Sequence, residues 1–153
     1  MRTTVDLRAD RRANYRWHRF AADTTTPRCS RTAAGSAQGR YREFGLHLYY
    51  RDERLAGVAV DALCGPQVFA DGMSLVGWVP SELERWMLER ADARPPHTDL
   101  MHMGAGVPAS DSLGVTINVQ RNGDRLLTRP IFYPAQALDD LPHWPLRDAW
   151  TIL

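Results

Sequence analysis

The chain has 153 residues, 44% of them hydrophobic, and a formal net charge of +1. This length and composition suit one domain with an ordinary core, so we predict a single domain spanning residues 1–153. No apolar run is long enough to cross a bilayer, and the N-terminus lacks the apolar core of a signal peptide. These features argue against membrane and secreted classes and predict a cytoplasmic protein.

The N-terminal part of the chain is rich in arginine, with aromatic residues interleaved. Such a mixture can bind single-stranded nucleic acid, because guanidinium groups contact phosphates while rings stack on bases. The candidate nucleic-acid-binding residues are Arg11, Arg12, Arg16, Trp17 and Arg19. The alternative, which we prefer, is that the aromatic residues dock on the domain while the arginines stay solvated. Residues 21–40 have almost no large apolar side chain, so we predict that the segment 8–40 is flexible or loosely packed.

Residues 44–78 carry the patterns of four strands that form two hairpins. In the first hairpin, Leu46 and Leu48 alternate with other residues, a period of two that is typical of a strand. The register to the second strand stays open, because loops of odd and even length would oppose different residues. In the second hairpin, Asp71-Gly72 predicts a two-residue type I′ turn, since both central residues of that turn need positive φ.

A helix is predicted over about residues 81–92. Ser81 and Glu84 match a capping box, in which each side chain binds the backbone N–H of the other residue. Leu83 and Trp86 recur at helical spacing within an apolar stripe. We therefore expect this helix to pack on one face of the sheet.

Residues 113–133 predict a further hairpin, because Asn122-Gly123 is a strong turn signal between two alternating runs. One face of this hairpin is apolar, and the other is polar and is expected to face solvent or a partner. The candidate partner-binding residues, which include one aromatic neighbour from the first hairpin, are Asn118, Gln120, Arg125, Arg129 and Tyr49.

The best metal-like cluster is His97, Asp99 and His102, whose imidazole and carboxylate groups can bind zinc in a small hydrolase. The cluster follows Pro95-Pro96, so the helical spacing that would bring these ligands together is not expected. No nucleophile or dinucleotide signature is complete elsewhere in the chain. We therefore predict no catalytic residue, no metal site and no cofactor.

These elements predict an α+β fold: an antiparallel sheet of about five to six strands built from hairpins, with one main helix (about 81–92) on one face. A family resemblance is carried by the runs GLHLYY (45–50), GVAVD (57–61), GPQV (65–68), DG (71–72), LVG (75–77), PSELE (80–84) and QRNGDRLLTRP (120–130). Over residues 41–133 the chain resembles small uncharacterised bacterial proteins of the immunity-protein type. Those proteins accompany polymorphic or contact-delivered toxins and neutralise them by binding. The resemblance includes no catalytic motif and carries over no site residue.

The predicted function is that of a non-enzymatic protein-binding module. The resemblance implies an immunity protein, which neutralises a cognate toxin by covering the active site of that toxin. Nucleic-acid binding through the arginine-rich segment is the alternative, and a small metal-dependent hydrolase is the third hypothesis. No membrane partner is expected.

Overall fold

The computed structural model describes residues 4–7, 30–32, 36–51, 54–94, 99–103 and 106–133. Within these ranges run eleven strands, one α-helix and one 3₁₀ helix. They are β1 (Thr4–Leu7), β2 (Ser30–Thr32), β3 (Ser36–Tyr41), the 3₁₀ helix (Arg42–Phe44), β4 (Leu46–Arg51), β5 (Arg54–Val60), β6 (Gln67–Ala70), β7 (Met73–Ser74), α1 (Pro80–Asp92), β8 (Leu100–Met103), β9 (Val107–Ser110), β10 (Val115–Asn122) and β11 (Arg125–Phe132).

Eight strands form the main sheet, in the order β2-β3-β4-β5-β11-β10-β9-β8, and every pairing between neighbours is antiparallel. A smaller sheet has the order β1-β6-β7, with β1 parallel to β6. The predicted α+β class, with hairpins and one main helix, is confirmed. The main sheet is wider than predicted, because β2, β3, β8 and β9 add short strands whose sequences alternate too weakly to be recognised.

The first two hairpins follow the sequence pattern closely. Leu46 lies opposite Val60 and Leu48 opposite Val58, so the register that the sequence left open is the one that keeps apolar residues on one face. At the second turn, Asp71 and Gly72 have φ of 49° and 83°, the two positive values that a type I′ turn requires.

The β10–β11 hairpin has the predicted faces but a different turn. Asn122 pairs with Arg125, which places the turn at Gly123-Asp124, and of these two residues only Gly123 has a positive φ, of 59°. The register is therefore displaced by two residues from the one that a turn at Asn122-Gly123 would give. Since side chains alternate with a period of two, this displacement leaves every residue on its predicted face.

Helix α1 begins one residue earlier than predicted, and its capping box does not form. Val79 is the N-cap residue and no side chain caps the helix, while Pro80 occupies the first turn. Proline suits that position because its missing N–H would have no partner inside the helix. Leu83 and Met87 are the buried anchors of α1, whereas Trp86 is only partly buried at the edge of the core.

The main core lies between α1 and the sheet. Leu83 and Met87 from the helix pack in one cluster with Val115, Ile117 and Phe132 from the sheet. A second and smaller cluster consists of Tyr49, Ala59, Ile131 and Tyr133. Because Ile131 lies opposite Thr116 and not opposite Val115 or Ile117, this smaller cluster belongs to the face of the sheet that is turned away from α1.

Part of the segment 8–40 that was predicted to be loosely packed belongs to the main sheet. Strand β2 pairs with β3, and β3 pairs with β4 from Ser36 opposite Arg51 to Tyr41 opposite Leu46. Small side chains do not prevent this, because backbone groups alone form the ladder of hydrogen bonds between strands. Residues 8–29 and 33–35 of that segment lie outside the described residues. In the part of the chain that is described, no helix has both the length and the apolar character needed to cross a bilayer.

Candidate functional site

The polar face of the β10–β11 hairpin is mostly buried, which corrects the prediction that it faces solvent. Asn118, Gln120 and Arg129 are buried, as is the neighbouring Tyr49, and only Arg125 is exposed. Alternation in a strand reveals which residues share a face, but it does not reveal what covers that face. Of the five predicted partner-binding residues, Arg125 alone is exposed.

Gln120 holds the end of the sheet to the turn that follows β5. Its Oε1 accepts from the backbone N–H of Ala62 at 2.9 Å, and its Nε2 donates to Oδ2 of Asp61 at 3.0 Å. Oδ1 of Asp61 accepts from the backbone N–H groups of Leu63 and Cys64 at 2.8 and 3.0 Å. Burial by itself would raise the pKa of Asp61, but these hydrogen bonds lower it below its ordinary value. Asp61 is therefore a carboxylate whose two oxygens are already bound by the protein.

Arg129 and His47 form the most unusual pair on this face. Arg129 is only 1% exposed, and its Nη2 lies 3.4 Å from Nδ1 of His47. A guanidinium group has no acceptor, so Nδ1 must accept and the imidazole is neutral, with its proton on Nε2. Burial, followed by the positive charges of Arg129 and Arg40, lowers the pKa of His47 to about 4. Among the described residues, Nε and Nη1 of Arg129 have no hydrogen-bond partner.

A cleft of about 360 Å³ opens beside this pair. It is lined by Arg40, Arg42, Gly45, Leu46, His47, Asp61, Cys64 and Gln120. Arg40 and Arg42 are exposed at the rim, and Cys64 carries a free thiol. Partial desolvation and the neighbouring Asp61 raise the pKa of this thiol, which disfavours the thiolate that a cysteine nucleophile needs.

Gly45 fixes one wall of the cleft by a close backbone approach. Its φ is 61°, and a Cβ added there would lie 2.4 Å from the backbone nitrogen of Gly65. The carbonyl oxygen of Gly45 also accepts from the N–H of Asp61 at 2.8 Å. Only glycine suits this position, and the contact holds the 3₁₀ helix against the turn at residues 61–65.

Large apolar side chains are exposed along the same end of the sheet. We call this set the apolar end; it consists of Phe44, Leu63, Trp78, Val79 and Leu126. Phe44 is the last residue of the 3₁₀ helix and Leu63 lies in the turn after β5, so the contact at Gly45 brings the two segments together. Phe44 is the most exposed member, at 59%.

Backbone hydrogen bonds join the segment that carries Trp78 and Val79 to β11, the strand that carries Leu126. The N–H of Gly77 donates to the carbonyl of Thr128 at 2.9 Å, and the N–H of Thr128 donates to the carbonyl of Trp78 at 2.8 Å. Leu126 lies two residues along β11 from Thr128 and therefore on the same face. A Cβ added at Gly77 would lie 2.9 Å from the carbonyl oxygen of Ala62, so this segment also adjoins the turn that carries Leu63.

The sequence-based prediction missed the apolar end because its members lie mostly in loops. Periodicity detects apolar residues within strands and long helices, whereas Phe44 ends a one-turn 3₁₀ helix, Leu63 lies in a turn and Trp78 lies between β7 and α1. A usable signal was present: each is followed within two residues by a glycine or proline that ends the local element. Large apolar residues beside such breakers are less easily buried than those inside a regular strand.

Asp99 and His102, two of the predicted metal ligands, have different partners. Asp99 accepts from the N–H of Ser112 at 2.7 Å and from the hydroxyl of Ser110 at 3.0 Å, and it also binds Arg90. Burial would raise the pKa of Asp99, but these hydrogen bonds and the charge of Arg90 lower it. Nε2 of His102 lies 2.8 Å from Oε1 of Glu84 on the surface.

Other residues of the predicted sites lie outside the described residues. His97 is one of them, and so are Arg11, Arg12, Arg16, Trp17 and Arg19. Within the described ranges, no group of three or more His, Cys, Asp or Glu side chains has an arrangement that could hold a metal ion. The nucleic-acid and hydrolase hypotheses stay predictions.

No family model, no curated protein and no solved structure matches this chain. The interpretation of the cleft and of the apolar end therefore rests on the chemistry of their own residues.

Proposed function

We propose that this chain is a non-enzymatic protein-binding module of the immunity type, which neutralises a cognate toxin by covering the toxin's active site. The observation that carries this proposal is the apolar end, where five large apolar side chains are exposed on adjoining loops and strands. A group of exposed apolar residues with a polar surround is a common mark of a protein–protein interface.

The composition of this surface favours a protein partner. Tryptophan and arginine are enriched among the residues that dominate binding energy, and the apolar end combines Trp78 with a rim of arginines. Arg121 lies directly opposite Leu126 in the hairpin, and both it and Arg125 are exposed. A partner with an apolar centre and acidic groups around it would complement this arrangement.

The loops that carry the apolar end are held in place before any partner binds. Gly45 packs against Gly65, and Trp78 is bound to Thr128 by its carbonyl group and by its N–H, which donates to Oγ1 at 2.9 Å. Ordering a mobile loop on binding costs free energy, so a surface already fixed in the free protein binds more tightly. In this proposal Gln120 supports the surface from beneath, and Arg125 contacts the partner.

The test is binding and protection by the purified chain. The protein encoded by the adjacent gene is titrated with this chain in a calorimeter, and the chain is co-expressed with it to measure survival. We expect saturable binding and protection, and we expect Phe44→Ala to weaken binding by about tenfold or more, as truncation of an interface anchor does.

The matched control is Leu88→Ala. Leu88 is 48% exposed on α1, so it resembles Phe44 in exposure and character but lies outside the apolar end. Its truncation should leave the affinity unchanged. Absence of binding and protection by the unaltered chain would refute the proposal. An equal loss of affinity in Phe44→Ala and Leu88→Ala would mean that the apolar end is not the binding surface.

A further inference from the structure

We propose that the cleft beside β4 binds a small oxyanion, a phosphate or carboxylate group, through Arg40 and Arg42, with the buried charge of Arg129 behind His47 adding to the attraction. This site is separate from the apolar end in its chemistry, and the inference does not depend on the proposed toxin binding. It assigns a ligand class to the one cleft described above, which the protein-binding proposal leaves unused.

The first argument is the unbalanced charge of Arg129. Its side chain is buried, yet within the described residues no carboxylate pairs with it, and its Nη2 lies 3.4 Å from a neutral imidazole. A buried cation without a counter-charge is costly, so such groups in proteins are normally paired or bind an anion. Arg129 does not line the cleft, so it attracts an anion there through its charge and not through a hydrogen bond.

The second argument is the charge around the cleft. Arg40 and Arg42 line it, and in the described part of the chain neither forms an ion pair. Asp61 is the only carboxylate among the lining residues, and its oxygens already accept from Leu63, Cys64 and Gln120. Two lining guanidiniums with Arg129 behind them therefore outweigh one carboxylate that is turned towards the protein.

The third argument is the position of His47 between the cleft and Arg129. His47 lines the cleft, and its Nδ1 faces Nη2 of Arg129 at 3.4 Å. An anion in the cleft would therefore lie beside the imidazole of His47, and only this side chain would separate it from the charge of Arg129. The volume of about 360 Å³ suits the charged group of a small metabolite and not a bare ion alone.

His47 also provides a spectroscopic signal that should change when an anion binds in the cleft, and that should not change if Arg40 and Arg42 only stabilise the fold. The charged groups that face it are Arg129 on β11, Arg40 and Arg42 beside β4, and Asp61 in the turn after β5. A bound anion would offset the three positive charges, so the pKa of His47 should rise from about 4 towards its ordinary value of 6.5.

The experiment is an NMR titration of the full chain with inorganic phosphate and, separately, with acetate at constant ionic strength set by chloride. The ring signals of His47 are identified by their loss in His47→Gln. We expect a saturable shift of these signals and a raised pKa. The anion that binds more tightly identifies the preferred group, phosphate or carboxylate.

Two variants decide whether the cleft is responsible. Arg40→Gln removes an exposed charge from the rim, so it should preserve the fold and weaken anion binding by roughly tenfold, the effect of losing one charge-assisted hydrogen bond. Arg85→Gln removes an exposed charge from α1, on the other side of the sheet, and should leave binding unchanged. A shift that does not saturate with either anion, or one that both variants reduce equally, would overturn the proposal.

Discussion

Arg90 and Arg129 are both buried, but the protein surrounds them differently. Arg90 donates from Nε to Asp71 at 2.8 Å and from Nη1 to Asp99 and Ser112, so two carboxylates face its charge. Arg129, on the opposite side of the sheet, faces His47 and no carboxylate within the described residues. The comparison separates a buried charge that two carboxylates balance from a buried charge that no carboxylate of the described residues balances.

The largest effect should come from breaking the Arg90 cluster. We expect Asp99→Ala to lower the free energy of unfolding by about 3–5 kcal/mol, because removing one partner leaves a buried charge under-compensated. Ser110 and Ser112 also lose their acceptor. Urea denaturation followed by circular dichroism measures the change.

The control for that measurement is Asp111→Ala. Asp111 is exposed in the turn that carries Ser112, so its side chain can be removed without opening the cluster. Its effect should remain within about 0.5 kcal/mol. Equal losses in Asp99→Ala and Asp111→Ala would mean that the Arg90 cluster has no special part in stability.

The next effect compares the two arginines directly. Arg129→Met should change the free energy of unfolding by less than about 1 kcal/mol or even stabilise the protein, because it replaces an unpaired buried charge with an apolar chain of similar length. Arg90→Met should instead destabilise, since it removes the cation paired with Asp99 and leaves Asp71 with Arg94 alone. Denaturation in phosphate-free buffer tests both, and a loss of several kcal/mol for Arg129→Met would show that its charge is already paired.

The sequence predicted the local geometry of this protein better than its surfaces. Alternation and the Asp71-Gly72 turn were sufficient for the hairpins and for the faces, because strand pleating and positive φ are local properties. Burial of Arg129 was not predictable, since it depends on what packs over the sheet. The N-cap of the helix escaped prediction, because Ser81 had the right spacing for a cap but Pro80 had already entered the helix.

The cleft was missed for a related reason. Arg40, His47, Asp61 and Gln120 come from four separate stretches of sequence, and only the order of strands in the sheet brings them together. In the sequence, each of these four residues is accounted for by its position in a strand or a turn. Non-local convergence of this kind leaves no spacing signature, in contrast to a metal motif on one helix.

The last prediction concerns the pH dependence that His47 adds to stability. Its pKa is about 4 in the folded protein, lowered by burial and then by Arg129, against an ordinary value of 6.5. The unfolded chain therefore takes up a proton near pH 6.5 that the folded chain refuses until about pH 4. The contribution of His47 is complete above that window, declines as pH falls through it, and changes no further below it.

This dependence can be separated from that of the carboxylates and traced to Arg129. The pKa values of Asp61 and Asp99 lie below 3.8, so the stability that they contribute is lost at lower pH than the His47 window. Urea midpoints measured between pH 6.5 and about 4 should fall for the unaltered chain and fall less for His47→Gln. Arg129→Met should also reduce the slope, because removing that charge lets the ring protonate more easily in the folded state. Identical slopes in all three proteins would mean that the buried guanidinium does not act on His47, and the contrast between the two arginines would lose its electrostatic basis.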